Sequence, residues 1–224
     1  MSREVVVVVG CGGVALHSLS AIAVETQLRL GNSDECQTVF FDPDAYEPSN
    51  RGRQLMRANE PKAELLGDVF LNYTGFPVVA CVEKFNLNGS EKMLKDADRV
   101  VFVVMCDTAE GRQKALEVAE RLHSRKRDVW YIVAGNDKTS GQVFGWRVGV
   151  GDDIRDYIPA VEELLTENGT QCGREVEQSL EGNMCTAVCL RRVLSFLREG
   201  AKRAAVRWSV SEMGRITVWT DHKW

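Results

Sequence analysis

Gly10, Gly12 and Gly13 sit in "VVVVVGCGGVALHSLSAIA", residues 5–23, between five valines and an apolar helical pattern. Glycines there allow a tight turn and close backbone approach, and the helix start offers unpaired N–H groups to a phosphate. Gly10-x-Gly12-x-x-Ala15 fits a dinucleotide-type fingerprint, which dehydrogenases, methyltransferases and ATP-using enzymes all share. Residues further on narrow the choice. "FFDPDAYEPSNRGRQ", 40–54, holds Asp42, Asp44, Asn50, Arg53 and Gln54, with Lys62 shortly after. Asp42, closing the second expected strand, can reach ribose hydroxyls. So many phosphate-directed donors beside one glycine turn suit a triphosphate, whose charge must be neutralised while a phosphoryl bond breaks. Asp107, in "VVMCDTAEGR", falls at the end of the fourth expected strand, where a carboxylate facing a triphosphate suits Mg²⁺, directly or through water.

The elements that must carry these residues alternate from the start of the chain. Strands are expected at 4–9, 38–42, 76–84, 98–107 and 128–136. Helices are expected at 14–30, at 61–73 with Pro61 in its first position, near 89–96 and at 110–125. That order predicts an α/β fold: a Rossmann-like, mostly parallel sheet with helices on both faces. "GQVFGWRVGV", 141–150, reads as a further strand, 151–173 as a polar crossing segment and 175–199 as a long helix. "AVRWSVSEMGRITVWT", 205–220, reads as a C-terminal antiparallel hairpin turning at Ser-Glu-Met-Gly. The expectation is one domain over 1–224, since no linker or repeat interrupts the pattern.

Five elements in order resemble the ThiF/MoeB group, the bacterial relatives of ubiquitin-activating (E1) enzymes. The glycine turn comes first, followed by D-x-D-x(5)-N-x-x-R-Q as Asp42, Asp44, Asn50, Arg53 and Gln54. Lys62 in "NEPK" resembles the family's "GxPK" lysine. Asp107 and Arg112 in "CDTAEGR" keep the family's spacing, and "EGNMCTAVCLRRVLSFL", 181–197, looks like its late helix. The resemblance implies ATP and Mg²⁺ as cofactors, with Asp42 on the ribose and Asp107 serving the metal. It also implies that Asn50, Arg53, Gln54 and Lys62 bind and polarise the phosphates. The implied reaction is attack by the C-terminal carboxylate of a small ubiquitin-like or sulfur-carrier protein on the α-phosphorus, giving an acyl-adenylate and pyrophosphate. Such chemistry rests on positioning and charge and needs no protein nucleophile. A homodimer and an E2-like acceptor are implied in the same way, and the compact form resembles ThiF-like proteins of mobile-element and defence-type operons.

The chain departs from that pattern in four places. Ala15 replaces the third glycine and Thr108 the Asn after the metal Asp. Relatives carry an N-terminal arm with an Arg that reaches a partner's site, and here Arg3 alone precedes the first strand. No paired CxxC motifs occur, so no structural zinc is expected, and Cys185 and Cys189 read as core residues. Cys172, in polar "NGTQCGREVEQ" before a helix, is the candidate for carrying a thioester. Cys11, Cys36, Cys81 and Cys106 read as packing residues. His17 reads as an ordinary helix position near the phosphate turn.

Composition bounds the rest. A net charge of −4 without clustered Lys and Arg argues against a nucleic-acid groove. No apolar run is long enough for a membrane span or a secretory leader, and seven irregularly spaced cysteines fit a reducing cytoplasm. Two other readings stay open. A non-catalytic subunit that docks a ubiquitin-like protein leaves Arg53, Lys62 and Asp107 without a physical need. An NAD(P)-dependent oxidoreductase explains the glycines and Asp42 but leaves the Asn–Arg–Gln run unused.

Overall fold

A computed structural model of the chain describes residues 3–30, 35–50, 59–151, 179–211 and 215–223. Its β-branched runs form strands β1 (Arg3–Val9), β2 (Glu35–Phe41), β3 (Val78–Cys81), β4 (Arg99–Val104) and β5 (Asp128–Asn136). Three more strands follow, β6 (Ser140–Arg147), β7 (Arg203–Val210) and β8 (Ile216–Lys223). All eight join one sheet in the order β3-β2-β1-β4-β5-β6-β7-β8. The first five run parallel, and β5 to β8 pair antiparallel. The expected fold class is therefore observed, hairpin included, although β3 is shorter than its apolar run and β4 stops at Val104 rather than Asp107.

The interleaved helices are α1 (Gly13–Leu30), α2 (Lys62–Thr74), α3 (Leu87–Leu94), α4 (Ala109–Ser124) and α5 (Leu180–Arg198). Pro61 stands one residue ahead of its expected place, as the N-cap of α2. Strand alternation sends Val6 and Val8 to one face, where α1, α2 and α5 cover them through Ile22, Leu66 and Leu190. Val5, Val7 and Val9 face the other side, against α3 and α4 through Leu94 and Val118. Burial on both faces is why these strands read as unbroken apolar runs rather than alternating ones. Each such valine contributes roughly 1.5–3 kcal/mol on leaving water.

A buried ionic network ties the N-terminal ends of the strands together. Arg29 of α1 donates to Glu4 at 2.7 Å and to Glu25 at 2.6 Å, and its guanidinium lies 4.7 Å from the Trp130 ring centre. Arg99 donates to Glu4 at 3.1 Å and to Asp128, which also accepts from Arg147. Burial raises the Asp128 carboxyl, but hydrogen bonds and charge from Arg99 and Arg147 outweigh it and hold the group below its ordinary value. Arg3 belongs to this end as well, its backbone N–H donating to Asp98 at 3.0 Å. β1 is seven residues long, so Arg3 lies roughly 20 Å from the glycine turn at the strand's other end.

Candidate nucleotide site

From β1 the chain winds outward to β2 and β3, then returns to place β4 on the opposite side of β1. The ends of β1 and β4 thus meet at a topological switch point, where open α/β sheets bind ligands. Two short contacts fix the joint. Met105 N–H donates to Val9 O at 2.7 Å, and Gly10 N–H donates to Phe41 O at 2.9 Å. Gly10 has φ +92°, and a Cβ there would stand 2.5 Å from the backbone nitrogen of Cys106. Glycine is required at that position by both conformation and space.

A cavity of about 380 Å³ opens over this joint, within the range of small-ligand sites. Gly10, Gly12, Gly13, Asp42, Asp44, Lys62 and Asp107 all line it. Leu16 N–H donates to Gly12 O at 3.1 Å, which makes Gly12 the residue before the first helical turn. The N–H groups of Gly13, Val14 and Ala15 therefore have no intrahelical acceptor, and the helix dipole adds partial positive charge beside them. Lys62 opens α2, with its Nζ 3.3 Å from Asp44 Oδ2 and its side chain only 13% exposed.

Asp42 is 7% exposed and welds the turn to β2. Its Oδ2 accepts from Cys11 N–H at 2.6 Å and its Oδ1 from Asp44 N–H at 2.9 Å. Burial lifts its carboxyl above the ordinary range, against those two bonds and the Lys62 charge. Asp107 is exposed at the cavity rim, three residues past β4. Buried Arg112 donates to its carbonyl oxygen at 3.3 Å, and Thr108 caps α4 by accepting from Gly111 N–H. The five-residue spacing of Asp107 and Arg112 thus has a structural use: the guanidinium fixes the loop that presents the carboxylate.

Asn50 does not line the cavity. It is 8% exposed, and its Oδ1 accepts from Glu47 N–H at 3.0 Å, closing the 3-10 turn Pro48–Asn50. Arg53, Gln54, Cys172 and all of the crossing segment beyond residue 151 lie outside the described residues. Cys106 lies two residues beyond β4 and lines the cavity, rather than sitting on the strand. Burial pushes the Cys36 and Cys189 thiols up to about 12 and Cys106 to about 11, and it also raises Cys11, Cys81 and Cys185. None of these six is primed as a thiolate. Cys189 is buried in the core with Cys185 packed beside it. His17 does not line the cavity, and its Nε2 is buried without a hydrogen-bond partner.

The cavity residues that escaped the sequence reading include Lys84, Phe85, Glu110 and Lys114. Their signal was positional. Lys84 and Phe85 follow β3, and Glu110 and Lys114 occupy the opening turns of α4, both on the ligand edge of the sheet.

The donor set suits a magnesium-bound nucleoside triphosphate. Orphan N–H groups and a lysine are donors suited to anionic oxygens, and Asp107 offers the hard carboxylate that magnesium takes alongside phosphates and water. Among the described residues no cluster of three or more His, Cys, Asp or Glu could cage a metal unaided. Nor is any described helix long and apolar enough to cross a membrane.

The sequence matches no protein-family model and no curated protein. Solved structures of E. coli MccB share the fold. The MccB structure with ATP matches with TM-score 0.53 at 17% identity, over 98% of this chain and 64% of MccB. The structure with selenomethionyl MccA matches with TM-score 0.59 at 16% identity, over 98% and 65%. This chain therefore spans less than two thirds of the MccB chains it resembles.

Proposed function

We propose that the chain uses Mg-ATP to adenylate the C-terminal carboxylate of a partner polypeptide, a small ubiquitin-like or sulfur-carrier protein. The observation that carries the reading is one cavity at the β1/β4 switch point lined by the glycine turn, Asp42, Lys62 and Asp107. The fold likeness to MccB, solved with ATP and with MccA, supports a nucleotide here and a second substrate beside it.

In this reaction a carboxylate oxygen attacks the α-phosphorus, the bond to the bridging oxygen breaks, and pyrophosphate leaves as the acyl-adenylate forms. The α1 N–H groups and Lys62 hold the phosphates and offset the charge that builds on them. Asp42 orients the ribose while keeping the turn closed. Asp107 would hold magnesium, which would supply positive charge to offset that of the pyrophosphate. Arg53 and Gln54 as further phosphate donors, and Cys172 as the acceptor of a thioester with release of AMP, rest on the sequence alone. So do the homodimer, the E2-like acceptor and the compact ThiF-like subtype.

The test is ATP–pyrophosphate exchange with small proteins that end in a free carboxylate. The reading expects exchange that needs the partner and vanishes when its C-terminus is amidated. Exchange indifferent to amidation would refute it, and tight Mg-ATP binding with no exchange for any partner would leave a binding module.

A further inference from the structure

The two edges of the sheet are finished differently. β3, at one edge, is four residues long and offers little backbone to a further strand. β8, at the other, runs in unbroken register with β7, from Lys223 opposite Arg203 to Ile216 opposite Val210. Among the described residues no strand pairs with its outer side, so N–H and C=O groups face outward along its length. The strand carries no proline, and its one lysine is its last residue. Ile216, Val218 and Trp219 are each more than half exposed. A long, regular and apolar edge of this kind is a template for another strand.

We propose that β8 pairs antiparallel with β8 of a second copy of this chain about a two-fold axis at Val218, carrying the sheet across a homodimer. Residues directly opposite each other in a sheet point to the same face, so the axis must pass through a residue. With the axis at Val218, exposed Arg215 stands opposite exposed Asp221 of the second copy, and symmetry forms that pair twice. Val218 then faces its own copy, Ile216 faces Thr220 and Thr217 faces Trp219, which joins the apolar residues across the seam. With the axis at Trp219, Lys223 would face Arg215, two like charges. With the axis at Thr220, neither Arg215 nor Asp221 meets a charge. Charge complementarity therefore favours the first register. β8 lies four strands from β4, roughly 19 Å across the sheet, so the contact is separate from the cavity and independent of the nucleotide reading.

Sedimentation velocity over a concentration series tests the proposal. Wild type is expected to be a dimer at micromolar concentration. Arg215→Asp and Asp221→Arg each set like charges opposite one another twice, and each should raise the dimer dissociation constant about tenfold or more. Combining the two substitutions restores the pairs and should restore the dimer. Both side chains are exposed, and an unchanged far-UV circular dichroism spectrum shows that the variants fold. Oxidation with copper–phenanthroline reads the register separately. Val218→Cys, its Cβ atoms about 5 Å apart across the axis, should link into a covalent dimer beyond the wild-type background. Thr220→Cys, roughly 13 Å from its own copy, should not. A monomeric wild type overturns the proposal. So does a dimer whose dissociation constant moves less than about twofold in both single variants, or one that the combined variant fails to restore. Equal linking at the two cysteine positions refutes the register and the proposal with it.

Discussion

Replacing Gly10 by alanine is the sharpest perturbation of the joint on which the site depends. The new Cβ would lie 2.5 Å from Cys106 N, 2.7 Å from Cys106 Cα and 2.7 Å from the Met105 carbonyl carbon. All three are backbone atoms, so no side chain can rotate out of the way. The Met105–Val9 and Gly10–Phe41 hydrogen bonds hold both segments in place. A left-handed conformation costs a non-glycine residue about 1–2 kcal/mol, and forced overpacking adds about 1–3 kcal/mol. Gly10→Ala should therefore destabilise the chain by about 2–5 kcal/mol. Gly75 supplies the control. It caps α2 at φ +71°, yet an added Cβ meets nothing within 4 Å, so Gly75→Ala carries the conformational term of about 1–2 kcal/mol alone. Urea unfolding followed by far-UV circular dichroism gives both values. Equal costs for the two substitutions would show that the β1 and β4 ends do not meet as described.

Two further outcomes concern the ionic network at the N-terminal ends of the strands. Arg29→Met leaves Glu4 and Glu25, both nearly fully buried, short of their shortest partner and should cost about 3 kcal/mol, the lower end for a broken buried pair. The lower end applies because Arg99 and Arg198 still reach the two carboxylates, at 3.1 Å and 3.6 Å; removing both acids with Arg29 should cost less than removing Arg29 alone. Asp128, held below its ordinary pKa, stabilises the fold above about pH 4, and that contribution disappears as pH falls through the lowered folded value. Asp128→Asn should thus lose about 1 kcal/mol at pH 7, the Asp128 side chain being 25% and that of Arg99 39% exposed. Denaturant titrations at pH 7 and pH 2 should show the gap closing, and a gap that widens toward acid contradicts the sign.

Much of the fold was legible because its strands are buried on both faces. Valine-rich runs such as 4–9 admit few other conformations, and their alternation with helical patterns dictates parallel pairing. Gly10, Asp42 and Asp107 were legible as neighbours because each follows, or closely trails, the C-terminal end of a strand, and parallel strands bring those ends to one edge; Lys62, at the start of α2, is tied to that edge by its backbone N–H donating to Asp44 O at 2.9 Å. Asn50 was not legible in its observed place, since spacing cannot say that its side chain turns back to Glu47. Glu110 and Lys114 look in sequence like an ordinary solvated i,i+4 pair, and only the approach of the β3 end makes them a cavity wall. The Glu4–Arg29–Glu25 network was hidden for a similar reason: burial of the residues at one end of α1 depends on packing that periodicity does not encode.

The central claim is that the cavity at the β1/β4 switch point holds a magnesium-bound triphosphate through α1 and Lys62. Its most direct test is calorimetric titration of wild type and Lys62→Met with Mg-ATP, with NADH as the competing ligand. Saturable one-to-one binding of Mg-ATP over NADH, weakened about tenfold or more in Lys62→Met at unchanged thermal midpoint, is the expected result. Preference for NADH, or Mg-ATP binding indifferent to the loss of Lys62, would contradict it.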